Sequence, residues 1–150
     1  MKSLYEPAAA EEIKTRLNAM GAASEGQWGK MTPAQALAHC ASAMESATGD
    51  AKPPRQMIGW VLGPIAKAMV INKERPFGKN SPTAPNLVIS DERDFETERQ
   101  RLAQIIDRFV GGGPQACSDH PHQFFGKLTP DEWGRLMYKH LDHHLRQFGA

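Results

Sequence analysis

The sequence predicts an all-α protein. Apolar residues recur at helical spacing in several separate segments, and no segment sustains the period-two alternation of a half-buried strand bounded by turns. Helix-starting Thr and Pro and helix-ending Gly bracket those segments. The first helix has Pro7 near its first turn and ends at Gly21, with Ile13, Leu17 and Met20 forming one apolar stripe. The second is capped by Thr32, carries Pro33 at its first position and Gln35 at its third in a capping-box arrangement, and can run to Gly49. Its alanine-rich body, TPAQALAHCASAMESATG, favours close helix packing. Between Pro53 and Ile71 an apolar, proline-broken piece predicts one or two short helices covering the end of the core. Asn72 to Asn86 is loop chemistry with three prolines and no periodicity, a long crossover rather than a domain boundary. A third long helix follows Ser90, places Phe95, Leu102, Ile105, Ile106 and Phe109 on one side, and stops at Gly111, Gly112 and Gly113. That triple glycine lacks the Lys-Ser/Thr ending of a phosphate-binding loop and reads as a terminator. A loop from Pro114 to Leu128 leads to the last helix, capped by Thr129 with Pro130 at its first position.

A chain of 150 residues with 40% apolar and 23% charged residues is one globular domain's worth. Eighteen basic against seventeen acidic residues give a net charge of +1, and no stretch concentrates basicity, which argues against a nucleic-acid partner. Cys40 and Cys117 form no CxxC, no metal-ligand spacing and no disulfide framework, as expected in a reducing compartment. MKSLYEPAAAEEIK brings acidic residues before any apolar run, so a secretory leader is not expected. The longest apolar-rich stretch, Met57 to Ile71, is interrupted by Pro64 and Lys67 and falls short of the roughly 20 residues that span a bilayer. A soluble, cytoplasmic protein without a membrane partner is the expectation. Trp60 and its neighbours in QMIGWVLGPIAKAMV are more apolar surface than one short element needs, so the core or a second subunit should cover part of it.

The last helix, TPDEWGRLMYKHLDHHLRQFG, carries the chemistry. On a helical wheel with Leu136 at zero, Trp133, Met137, Leu141 and Phe148 fall between about 60° and 140°, and the charged residues fall on the opposite side. His140 at about 40° and His144 at about 80° sit inside the apolar arc one turn apart, with His143 on its margin near −20°. Two imidazoles on a buried face need partners, because each unpaired buried nitrogen costs on the order of 1–3 kcal/mol. A transition metal satisfies both together, but two ligands are too few and a third must come from elsewhere. His39, within the second helix, is the best third candidate, on the edge of that helix's small-residue side. His120 and His122, in the loop before the last helix, compete with it, although loop histidines ordinarily face solvent. Ordinary core histidines bonded to carbonyls or water remain the alternative.

The segments WGKMTPAQALAHC, RPFGKNSPTAPN, SDERDFETERQRL and HPHQFFGKLTPDEWGRLMYKHLDHHLRQFG, in that order and spacing, resemble a branch of unknown function within the DinB-like superfamily of metalloenzymes, which includes the YfiT-type thiol transferases. The resemblance runs over nearly the whole chain from Trp28 onward. It implies a single DinB-like domain, a four-helix bundle with a long crossover between its second and third helices, and a dimer. It also implies a metal held by one His of the second helix and a HxxxH pair on the fourth. Carried over by position, these are His39, His140 and His144. His122 is expected to border the site and His143 to make supporting or interface contacts, while His120 is placed outside the ligand set.

Three neutral imidazoles would leave an open position on a divalent ion, with Zn or Ni first and Fe next. The leading expectation is therefore a metal-dependent transferase or hydrolase acting on a small molecule, with a low-molecular-weight thiol as one candidate substrate. The rival expectation is a non-catalytic helical binding or stress-associated module. No general base can be named, because Glu45 and Asp142 both map to outward positions.

Overall fold

The computed structural model describes residues 1–150. It is all-helical, with five α-helices and no strand: α1 (Pro7–Ala19), α2 (Pro33–Thr48), α3 (Met57–Val70), α4 (Phe95–Gly112) and α5 (Pro130–Gln147). His122 and Gly126 form one isolated antiparallel bridge within the loop that precedes α5.

The caps fall where the side chains dictate. Thr32 accepts from the Gln35 backbone N–H while the Gln35 side chain accepts from the Thr32 N–H, and Gly49 closes α2 in the left-handed region at φ 85°. Thr129 and Glu132 make the same reciprocal pair at the start of α5. Asp94 caps α4 by accepting from the Thr97 N–H. This helix runs past Gly111 and Gly112 before Gly113, at φ 73°, ends it.

Packing centres on α2, which lies along α4 and also along α5, while α1 packs on α5 and α4. Ala36, Ala38, Ala41 and Ala47 of α2 are completely buried, and their short side chains let the neighbouring helices come close. The stripe Ile13, Leu17 and Met20 of α1 is buried as the spacing predicts, as are Phe95, Leu102, Ile105, Ile106 and Phe109 of α4. With Met44, Trp133 and Leu141 these residues form one continuous core. The segment ahead of α1 is tied to α5 by a 2.9 Å hydrogen bond from the Leu4 N–H to the Gly134 carbonyl. Only a glycine fits there, since a Cβ at Gly134 would lie 2.2 Å from Ser3 Oγ.

The piece between Pro53 and Ile71 departs from expectation. It forms a single helix, as one of the two expected outcomes had it, with Pro64 inside, but it does not cover the end of the core. Only Gly59 and Gly63 of α3 are buried, and they rest on the loop before α5, where a Cβ would meet the Phe124 carbonyl oxygen at 2.6 and 2.3 Å respectively. The helix is held by its smallest residues, so its large ones point outward, and Trp60 is 67% exposed. Lys67 adds an anchor by donating to the Lys127 carbonyl and pairing with Glu132.

Two glycine substitutions test this seating. Gly63→Ala should unseat α3 and lower the urea-unfolding free energy by about 1–3 kcal/mol, the usual cost of forcing atoms into a filled contact. Gly111→Ala, whose Cβ would meet nothing within 4 Å, should be neutral or slightly stabilising. Equal effects at both positions would remove the close-approach explanation.

Candidate metal centre

Three histidines meet between α2 and α5. His39 projects from the middle of α2 and is 4% exposed, while His140 and His144, one turn apart on α5, are half-buried. Their ring centroids form a nearly equilateral triangle with sides of 4.9, 4.8 and 4.8 Å. The ligand atoms the three could offer all lie within 4.8 Å of one another. A tetrahedral ion with Zn–N bonds of about 2.0–2.1 Å sets its nitrogens roughly 3.3 Å apart, so a small inward shift closes the set.

The hydrogen bonds behind the rings fix their orientation. His39 Nδ1 donates to the Leu87 carbonyl at 2.8 Å. A carbonyl can only accept, so the proton sits on Nδ1 and Nε2 presents a lone pair. His144 Nδ1 donates in the same way to Gln147 Oε1 at 2.8 Å. The Gln147 amide is itself oriented, because its Nε2 donates to the Trp28 carbonyl at 2.8 Å. His39 Nε2 and His140 Nε2 stand 2.9 Å apart, so His140 supplies the one proton between them. That leaves His140 Nδ1 buried without a partner. Lone pairs of His39 and His144 thus converge on a region that holds a single N–H, an arrangement a cation satisfies and a further donor-poor core does not.

Electrostatics keep the rings neutral. Burial pushes His39 below its usual range, only partly offset by its bond to Leu87. His140 is driven well below by burial and then by the neighbouring His144 and His39 rings. Burial, followed by His39, takes His144 down to about 3. Neutral imidazole is the form that binds a metal, so these groups need lose no proton at pH 7 to do so.

No carboxylate is free to join them. Glu45 is paired with Arg101 at 2.6 Å, and Asp142 with Arg16 at 2.8 Å and Arg146 at 3.0 Å, in keeping with their expected outward positions. The buried Glu98 is bridged by Arg93 and Arg101, and Glu132 is taken up by the α5 cap and Lys67. The cluster is an all-imidazole one.

The other histidines divide. His120 bonds through Nε2 to the Pro53 carbonyl at 2.9 Å and His122 accepts at Nδ1 from the Phe124 and Phe125 N–H groups, so neither simply faces solvent. His122 packs 5.6 Å from the Trp133 ring, and burial lowers it to about 4. Neither joins the triad. His143, placed on the margin by the wheel, is buried instead. Trp28, from the segment before α2, and Phe77, from the crossover, fold over that edge of α5 at 5.3 and 5.9 Å from its ring. A wheel describes one helix and cannot register what packs across it. Sequence reasoning also missed Gln147, although its position three residues beyond His144 puts it on the same face. The Leu87 carbonyl left no signal at all, because any residue there would supply one.

A hollow of about 10 Å³ touches His144 from the core side, lined by Leu17, Leu37, Cys40 and Leu141 among others. It holds no more than a water.

The family model for a protein of unknown function (DUF1569) matches residues 4–150. The chain belongs to that family. No curated protein and no solved structure matches it. In this DUF1569 chain the match takes in all five helices and every histidine of the cluster.

The buried imidazoles make stability depend on pH. Their native pKa values lie below the unfolded value near 6.5, so below that pH the unfolded chain binds more protons and the native state loses ground. Each group contributes a slope of up to about 1.4 kcal/mol per pH unit. For chelator-treated protein, the urea midpoint should be level from pH 8 to 7 and fall between pH 6.5 and 5, more gently in His140→Ala. A midpoint that does not move across this range would mean that the rings are solvated.

Proposed function

We propose that this chain is a DinB-like metalloprotein in which α1, α2, α4 and α5 form a four-helix bundle and His39, His140 and His144 hold a divalent transition metal. The single observation that carries this reading is the convergence of three ring nitrogens within 4.8 Å, two of them oriented from behind by carbonyl oxygens. Zn and Ni suit an all-imidazole donor set best, with Fe next. Three protein ligands leave room for a fourth from outside, the feature that separates catalytic from purely structural zinc sites. When bound, such an ion supplies Lewis acidity and a nucleophile near neutral pH.

The chain's own residues set the rest. His39 and His144 hold their Nε2 lone pairs inward because Leu87 and Gln147 keep the protons on the far side. Phe77 and Trp28 pack against the His140–His143 edge. With no free carboxylate beside the cluster, proton movement falls to substrate, water or the imidazoles themselves. This suits a metal-dependent transferase or hydrolase acting on a small molecule, a thiol being the natural candidate because it needs activation more than an added base. The tight apolar surround and the 10 Å³ hollow favour a second reading, a closed structural centre in a non-catalytic module.

Protein purified without a nickel column should contain about one metal ion per chain. His39→Ala, His140→Ala and His144→Ala should each lose it, while His120→Ala should retain it. Cobalt-substituted protein should change its visible spectrum on titration with a small thiol. Metal-free protein, or equal loss in His120→Ala, would overturn the ligand assignment; a cobalt spectrum indifferent to thiols, azide and carboxylates would favour the structural reading.

A further inference from the structure

The outward face of α3 is built for another helix. Ile58, Leu62, Ile65 and Met69 recur at intervals of four, three and four residues, the spacing of a helix-packing seam, and are 58%, 45%, 61% and 49% exposed. Val61 and Met57 lie to one side of the seam and are more exposed still, while Trp60 stands on the opposite side of the helix. The four seam residues with Val61 and Met57 leave on the order of 650 Å² uncovered, against the roughly 600–1,000 Å² per partner of a stable interface. The only charged residue of α3, Lys67, turns back to the Lys127 carbonyl and Glu132. The seam therefore carries no charge that would repel a copy of itself and none that would draw it to an anionic lipid surface.

The spacing also reads the same in both directions. About a midpoint between Gly63 and Pro64, Ile58 exchanges with Met69 and Leu62 with Ile65. A two-fold axis at that midpoint brings one α3 antiparallel onto another with each large side chain meeting a large one, the self-complementarity an isologous contact requires. We infer that α3 is the dimerisation helix of this protein, pairing antiparallel with α3 of a second copy through Ile58, Leu62, Ile65 and Met69. The inference does not depend on the metal reading, since none of the seam residues belongs to the histidine cluster.

Sedimentation equilibrium of the full chain should give a dimer at micromolar concentration, and Leu62→Glu should weaken it by about 100-fold or more. Far-UV circular dichroism should show that variant still helical; Ile65→Glu, at a more exposed position, serves if it does not fold. Cysteine cross-linking reads the orientation in a Cys117→Ser background. Chains with Ile58→Cys mixed with chains carrying Met69→Cys should cross-link on oxidation. Neither should do so alone, because antiparallel pairing sets the two copies of position 58 about 16 Å apart along the axis, beyond disulfide reach. A monomer at all concentrations, a dimer indifferent to the folded Glu variants, or cross-linking within a single variant would overturn the inference. So would a monomer that floats with phosphatidylcholine–phosphatidylserine vesicles, which would assign the face to lipid.

Discussion

The close approach of α2 to its neighbours is the constraint on which the rest of the structure depends. His39 can reach His140 only if the two helices lie near enough for ring nitrogens to stand 2.9 Å apart, and the buried alanines of α2 permit that. A larger residue at Ala36 or Ala41 would push a neighbour away and enlarge the triangle of rings along with the core. The alanine face and the histidine cluster are thus one feature seen from two sides. The same residues that supply little hydrophobic energy individually, compared with about 1.5–3 kcal/mol for a buried Leu or Ile, set the geometry in which others supply it.

Burying three imidazoles in that seam is costly unless each is satisfied, and the fold satisfies them unevenly. His39 and His144 each give a proton to a carbonyl oxygen, and His140 gives its own to His39. The partnerless Nδ1 of His140 is the remaining deficit. A cluster of neutral, incompletely satisfied imidazoles in the middle of a well-packed helix pair adds little to folding, and it is the feature on which the proposed metal site rests.

Much of this arrangement is legible in the sequence. The α2 and α5 caps follow from Thr, Pro and Gln or Glu at fixed offsets, and the inward direction of His140 and His144 follows from the wheel of one helix. What is not legible involves surfaces contributed by distant segments. His143 looks marginal until Trp28 and Phe77 cover it, and Leu87 contributes only a carbonyl. The outward turn of α3 is hidden for a different reason. A run such as MIGWVLGPIAKAMV announces burial by its composition, yet which side is buried depends on backbone approach, and the two glycines at Gly59 and Gly63 decide it against the large residues.

The orientation of α3 bears on the triad through α5. Lys139 lies beside His140 in sequence and donates to the carbonyls of Val70, at the end of α3, and Lys73, just beyond it. Asn72 adds a bond to Glu132 in the first turn of α5, and Lys67 pairs with the same carboxylate. Carbonyls freed at the end of α3 are thereby met by a side chain of α5, and the first turn of α5 is braced by Lys67 of α3 and by Asn72, two residues beyond its end. The helix that presents the exposed seam is consequently coupled at its C-terminal end to the helix that carries two of the three converging histidines. Its glycine face meanwhile bears on the loop that carries His122. The apolar face and the histidine cluster, though separate in chemistry, are thus joined through these polar contacts to α5 and through the glycine contact with the Phe124 loop.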